Sequence, residues 1–261
     1  MALCIFCGPT TEKMTKEHLW PKWVKEHHHR HGIGVGGYKT RRRRTNEGLR
    51  VYGTKGIELT ARVVCEKCNQ GWLSALEGHV KPLAIPLMLG QQHELTAENQ
   101  VLLSTWISKL AMLYEHTGQG AKFFNQTDRS GLMERLEPPE DVEVWLASYV
   151  GPRALILSQH SATEPEWQSE LDKFQVISGA VDRLAFQLVA RRWKEPRPSD
   201  LEMEGFLSVS PWSPVATATW ALATVRLWPV TTPCCSWPPR MDVDFEGFRQ
   251  FADRWAGQTI F

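Results

Sequence analysis

Two Cys-x2-Cys pairs, Cys4/Cys7 and Cys65/Cys68, constrain this chain more than any other feature. A Cys-x2-Cys turn aims two thiolates at one point. Two such turns complete the tetrahedral sulfur shell that zinc prefers, with bonds of about 2.3 Å. The 57 residues between Cys7 and Cys65 make the predicted Zn2+ site a staple between the start of the chain and a distant hairpin, so that metal binding contributes folding energy directly. The competing reading, four free buried thiols, does not account for the doubled spacing, and in a reducing compartment thiols at this spacing are metal ligands sooner than disulfides. Cys234 and Cys235 are adjacent, a geometry that rarely serves one ion, and are read as structural.

Charge divides the chain in a way the average hides. The 261 residues carry 30 Lys+Arg and 29 Asp+Glu, a net charge of +1. From Met1 to Lys55, however, there are 12 Lys+Arg against 4 Asp+Glu, a balance of +8, which leaves −7 for the remainder. The N-terminal part is therefore expected to face a polyanion and the rest is not. A hydrophobic fraction of 42% excludes disordered, collagen-like and disulfide-scaffold classes. The length suits two domains of ordinary size, drawn here as residues 1–82 and 83–261. The apolar start Met1–Cys7 lacks a charged leader and is too short for a signal peptide. The most apolar later stretch, Pro214–Val225, stops at Arg226, short of the roughly 18 apolar residues a membrane span needs. A soluble, cytoplasmic protein without membrane attachment is the expectation.

Between the knuckles lies Thr15-Lys-Glu-His-Leu-Trp-Pro-Lys-Trp23, then a predicted loop bearing His27, His28, His29, Arg30 and His31, a Gly-rich run, and Arg41, Arg42, Arg43 and Arg44. Neighbouring histidines in a loop rarely converge on one ion. His28, Arg30 and Arg41 to Arg44 are instead the predicted contacts to phosphates, binding backbone without reading sequence; a solvated surface loop is the alternative. Two β-like stretches, 49–52 and 57–64, separated by Gly53-Thr-Lys-Gly56, predict a hairpin that delivers Cys65 into its knuckle. The run Asn69–Glu77 predicts a helix with Trp72, Leu73 and Leu76 on its apolar stripe and Asn69 at its start, an N-cap position.

Taken together, the order Cys-x2-Cys, Glu17-His18-x2-Pro21, then Val63-Val-Cys-x2-Cys-Asn69-x-Gly-Trp-x3-Leu-Glu77 resembles the zinc-stapled branch of the HNH endonucleases, also called ββα-metal or His-Me finger nucleases, over residues 4 to 80. The resemblance implies an α+β protein in which an N-terminal ββα-metal module precedes a larger α+β region. It implies phosphodiester hydrolysis in double-stranded DNA, with His18 as general base, a role for which histidine as a residue type, with an unperturbed pKa of about 6.5, is the natural choice. It further implies that Glu17, where the family usually has Asp, and Asn69 hold a catalytic Mg2+ or Mn2+ ion. The middle family position is matched only by Asn46, and Trp72 replaces the usual Lys. Two rivals follow: an inactive zinc-dependent nucleic-acid-binding or adaptor protein, and a nuclease of RNA or single strands.

The acidic remainder predicts a helix over Leu95–His116, a short helix over Asp128–Leu136 capped by Thr127 or Asp128, strands at 142–150, 154–158, 174–178 and 184–190, and a last helix over Phe245–Trp255. Pro82 and Pro86 are read as chain breaks before it. Most of the 12 Trp fall here, a composition suited to a core, a homo-oligomer interface or a protein partner. No catalytic constellation appears in this part, and an antiparallel sheet is expected.

Overall fold

β-Branched and aromatic residues in the second half of the chain build most of one eight-stranded sheet, which strands from the first half extend at one edge. The structure is a computed structural model that describes residues 1–30, 38–44, 48–52, 59–117, 122–151, 155–163, 173–192 and 222–253. Strands β1 (Ala2–Cys4), β2 (Gly8–Thr10) and β3 (Met14–His18) lead into helix α1 (Lys22–Arg30). Strands β4 (Tyr38–Arg44), β5 (Gly48–Tyr52) and β6 (Thr60–Cys65) follow. The chain then coils through α2 (Glu66–Cys68), a π-helical turn (Asn69–Leu73) and α3 (Ser74–Met88). After β7 (His93–Thr96) come α4 (Ala97–Tyr114) and α5 (Gln126–Arg135). Strands β8 (Val142–Tyr149), β9 (Leu155–Thr163), β10 (Lys173–Val181), β11 (Leu184–Arg192), β12 (Thr224–Trp228), β13 (Cys234–Trp237) and β14 (Asp242–Val243) precede a last helix, α6 (Phe245–Asp253).

The main sheet runs β12-β8-β11-β10-β9-β4-β5, with β14 added to β8. All its pairings are antiparallel except β4–β9 and β14–β8, so the expected α+β class holds. Among the described residues no helix is long and apolar enough to cross a membrane.

Alternation along β8 shows how both faces are covered. Val142, Val144 and Leu146 enter the main core with α3 and α4, whereas Ala147 and Tyr149 join a smaller cluster with Phe248 and Phe251 of α6. The main cluster is continuous from Cys4 to Trp237. Trp106 of α4 lies at its centre, 6.0 Å from Trp23 and 6.4 Å from Phe186 between ring centroids, and truncating so large a buried ring costs about 3–5 kcal/mol. The boundary drawn at residue 82 thus lies inside α3, in a stretch whose apolar side belongs to this shared core.

Several expected elements differ. The two stretches read as one hairpin separate: β5 pairs with β4, and β6 pairs with β3. Alternation and a glycine-bearing break are local signals, and β3, the true partner of β6, lies 49 positions before it at the Thr15–Val64 pair. Pro82 and Pro86 sit inside α3 on its more exposed side, while Val80, Leu83, Ala84, Leu87 and Met88 are buried; burial of that stripe outweighs the lost hydrogen bonds. The Arg41–Arg44 run is strand β4, next to the edge strand β5, and not a loop. Of the predicted histidine loop, His27 to Arg30 form the last turn of α1, and His31 lies outside the described residues. Helix α5 begins two residues earlier than expected, with Asn125 as its cap: Asn125 and Asp128 cap each other reciprocally, with Asp128 N donating to Asn125 Oδ1 at 2.9 Å and Asn125 N donating to Asp128 Oδ2 at 2.7 Å.

Candidate metal centre and cleft

The first knuckle is the β1–β2 turn, which Gly8 closes with φ +81°, a conformation that favours glycine. The second is the junction of β6 with α2, so Cys65 ends the strand and Cys68 ends the single helical turn that follows it. Ile5 N donates to Val63 O at 3.0 Å and Cys65 N donates to Cys4 Sγ at 3.4 Å, which locks the two knuckles together. All four ligand atoms lie within 4.8 Å of one another, with Cys7 Sγ 3.6 Å from Cys65 Sγ. A regular tetrahedron of 2.3 Å zinc–sulfur bonds has edges of about 3.8 Å, so the cluster is one that a structural metal such as zinc fits.

Its acid–base chemistry points the same way. Burial and the neighbouring thiols push Cys7 up to about 11, and burial together with the charge on Cys4 pushes Cys68 up further. Cys4 is the exception: backbone and thiol hydrogen bonds outweigh its burial and lower it. Four thiols this close cannot all ionise without a cation among them. Cys4, Cys65 and Cys68 are buried and Cys7 is exposed. Phe6 in the same turn meets Trp72 edge-on at 4.9 Å, and Gln126 of α5 donates to Phe6 O at 2.9 Å, so the knuckle is clasped by the larger region as well.

At the far end of the same strand pair, where His18 faces Thr60, a cleft of about 490 Å3 opens. Glu17, His18, Asn69 and Glu77 line it, together with the exposed Lys16, Lys22 and Lys81. The strand β3, the strand β6 and the helix that starts at Cys65 therefore bring the three principal residues of the sequence motif to one place. His18 is half-buried, and its ring makes no hydrogen bond among the described residues. Asn69 is not an N-cap; it continues the turn of Cys68 in helical conformation (φ −65°, ψ −51°), and its Nδ2 donates to Thr15 Oγ1 at 2.9 Å, which in turn donates to Val64 O at 3.0 Å. With the amide nitrogen tied to the strand pair, the amide oxygen remains for the cleft. Two residues after Asn69 the helical path kinks at Gly71, whose φ −86° and ψ −113° are not helical.

Glu17 is held differently. Its Oε1 lies 3.0 Å from Nζ of Lys109, which is fully buried in α4, and the same ammonium lies 2.7 Å from Oε1 of Glu77. Burial pushes Lys109 down, but Glu17 and Glu77 together outweigh it and hold the ammonium above its ordinary pKa. Two carboxylates against one ammonium leave one net negative charge. Glu17 and Asn69 thus each bring an oxygen of the type that hard divalent ions take to the lining of the cleft. Among the described residues, the four cysteines are the only group of three or more Cys, His, Asp or Glu side chains brought together closely enough for one ion.

Glu77 closes the quoted motif without an assigned role, and Lys109 belongs to no motif. The available signal was Lys109 itself: α4 buries nearly every residue from Leu103 to Tyr114, and a charge in such a helix requires a partner. Of the predicted phosphate contacts, His28 is fully buried and Arg30 is exposed at the end of α1. The neighbouring His27 is also buried, its Nε2 2.7 Å from Asp182 Oδ2 in the β10–β11 turn. These two histidines are thus interior groups, because the helix turns them toward the sheet. Asn46 lies outside the described residues. No known protein family, curated protein or solved structure matches the chain.

Proposed function

We propose that this protein is a metal-dependent endonuclease of the HNH type that hydrolyses phosphodiester bonds in double-stranded DNA. What supports the reading is one arrangement: the β3–β6 pair running into a helix at a four-cysteine staple, with Glu17, His18 and Asn69 lining a single cleft. His18, uncommitted at the strand end, takes the proton from the attacking water as general base. The Glu17 carboxylate and the Asn69 amide oxygen hold a Mg2+ or Mn2+ ion, which when bound supplies positive charge against the scissile phosphate. Lys16, Lys22 and Lys81 at the rim, with Arg30 and the Arg41–Arg44 strand, attract the backbone. That attraction makes binding salt-dependent. Zn2+ on the cysteines has a structural role and takes no part in the reaction.

A plasmid-nicking assay with Mg2+ or Mn2+ tests the reading: the wild type nicks and His18→Ala does not. Equal nicking by the two proteins would sink the mechanism. One observation favours a second reading, an inactive nucleic-acid-binding or adaptor protein: Glu17 already has a cationic partner in Lys109. That reading predicts salt-sensitive binding with no cleavage under any divalent ion. Parallel assays on duplex DNA, single strands and RNA identify the substrate.

A further inference from the structure

The cleft is not a property of the N-terminal motif alone. Lys109 comes from α4, has a side-chain exposure of 0%, and sits within 3.0 Å of Glu17 and 2.7 Å of Glu77. Both carboxylates line the cleft and Lys109 does not. The ammonium lies behind the two acids and does not reach a bound phosphate, so its influence passes through them. A fully buried ammonium between two acids fixes where their oxygens stand, and it reduces the negative charge they offer to a cation, beside the charges of Lys16, Lys22, Lys81 and Glu26 that also line the cleft. We propose that Lys109 is a positioning residue and internal counter-ion: it pins the Glu17 and Glu77 carboxylates at the back of the cleft and leaves them one net negative charge, which sets the affinity of the cleft for a divalent cation. This inference rests on the reading of Glu17 and Asn69 as ion ligands, and it adds Glu77 and Lys109 to the groups that govern the ion.

The charge of the trio can be changed in either direction. Glu17, Glu77 and Lys109 sum to −1. Lys109→Met makes the sum −2, Glu77→Gln makes it 0, and the double variant returns it to −1. A charge change of one unit a few ångströms from a partly buried ion changes its affinity by about ten-fold or more.

The experiment is a Mn2+ titration of the full-length, zinc-loaded protein, with free Mn2+ read by electron paramagnetic resonance. The expected order of affinity is Lys109→Met tightest, then wild type and the double variant together, then Glu77→Gln weakest by about ten-fold against wild type. Damage to the fold only weakens binding, so tighter binding by Lys109→Met is a result that a purely structural lysine does not produce. If Lys109→Met fails to fold, the near-isosteric Glu77→Gln carries the test. Overturning results are Glu77→Gln binding Mn2+ like wild type, a folded Lys109→Met binding no more tightly than wild type, or neither wild type nor Lys109→Met binding Mn2+ at all. Plasmid nicking separates this from the endonuclease reading. The affinity order without any cleavage by wild type leaves the counter-ion role standing and removes the nuclease; His18-dependent cleavage with affinities indifferent to the trio does the reverse.

Discussion

The two ends of the β3–β6 strand pair both gather ligand-type side chains, yet they settle charge in opposite ways. At the Met14–Cys65 end, four sulfur atoms crowd within 4.8 Å, and what acts most on Cys4, Cys7 and Cys68 is burial, one another and backbone hydrogen bonds. At the Glu17–His18 end, two carboxylates share an ammonium supplied by α4. The thiol end therefore needs a cation from outside to ionise, whereas the carboxylate end already contains one and keeps a single spare charge. A site that depends on an external ion for its own cohesion is a structural site. A site stabilised from within is free to bind and release a ligand, which is what a catalytic cleft requires.

The sharpest way to break this contrast is to remove the metal from the thiol end. Apparent binding energies of structural zinc in small modules reach about 10 kcal/mol or more. Cys65→Ser is accordingly expected to abolish zinc in metal analysis and to lower the melting temperature by about 10 °C or more. An unchanged melting curve in a zinc-free Cys65→Ser protein would show the cluster to be four inert thiols. Lys109→Met comes next. Breaking a buried ion pair leaves uncompensated charge and costs roughly 3–5 kcal/mol, toward the lower figure here because Glu77 retains 21% side-chain exposure. Denaturant titration measures it, and a cost below about 1 kcal/mol, the range of exposed pairs, would mean that the cleft is not stabilised from within.

A smaller effect belongs to neither end and serves as a control on acid sensitivity. His116, just past α4, is pushed down to about 4 by burial and then by the nearby Arg129 and Lys122 charges. Its folded pKa lies below its ordinary value of 6.5. The unfolded chain thus binds a proton that the fold refuses, and the contribution to stability is complete above about pH 6.5 and declines as the pH falls toward 4. His116→Gln should flatten this part of the stability–pH curve relative to wild type. An identical slope in the two proteins would assign the acid sensitivity elsewhere, to the thiol end first.

The same contrast explains what could be read from the residues alone. The thiol cluster announces itself because each knuckle is a local turn of fixed spacing, and the long apolar periodicity of α4 likewise predicts its span to within two residues at each end. The α+β class and the strands β8 to β11 follow from their strand-like runs, whereas β12, β13 and β14, in a stretch punctuated by Pro and Trp, were not expected. Pairing is another matter. β6 joins β3 and not β5 because burial of Val64, Leu73 and Leu76 under the knuckle selects the partner, and no local pattern encodes that choice. His28 was misplaced for a related reason: five polar residues in a row look solvated until the helix turns two of them onto the sheet. Lys109 was missed because its significance lies in partners 92 and 32 positions away in the chain.

The smallest expected change in stability is the one that bears most on the cleft. His18 is half-buried and makes no side-chain hydrogen bond among the described residues, so His18→Ala removes only part-buried ring packing and should alter the unfolding free energy by no more than about 1 kcal/mol. If the ring is the general base, cleavage should nevertheless fall by about 10²- to 10⁴-fold. A residue whose loss is slight in a melting curve and severe in an assay is kept for chemistry, since the fold derives little from it. A His18→Ala protein that melts several degrees lower would place the ring in the cohesion of the strand end, and the carboxylate end would then resemble the thiol end after all.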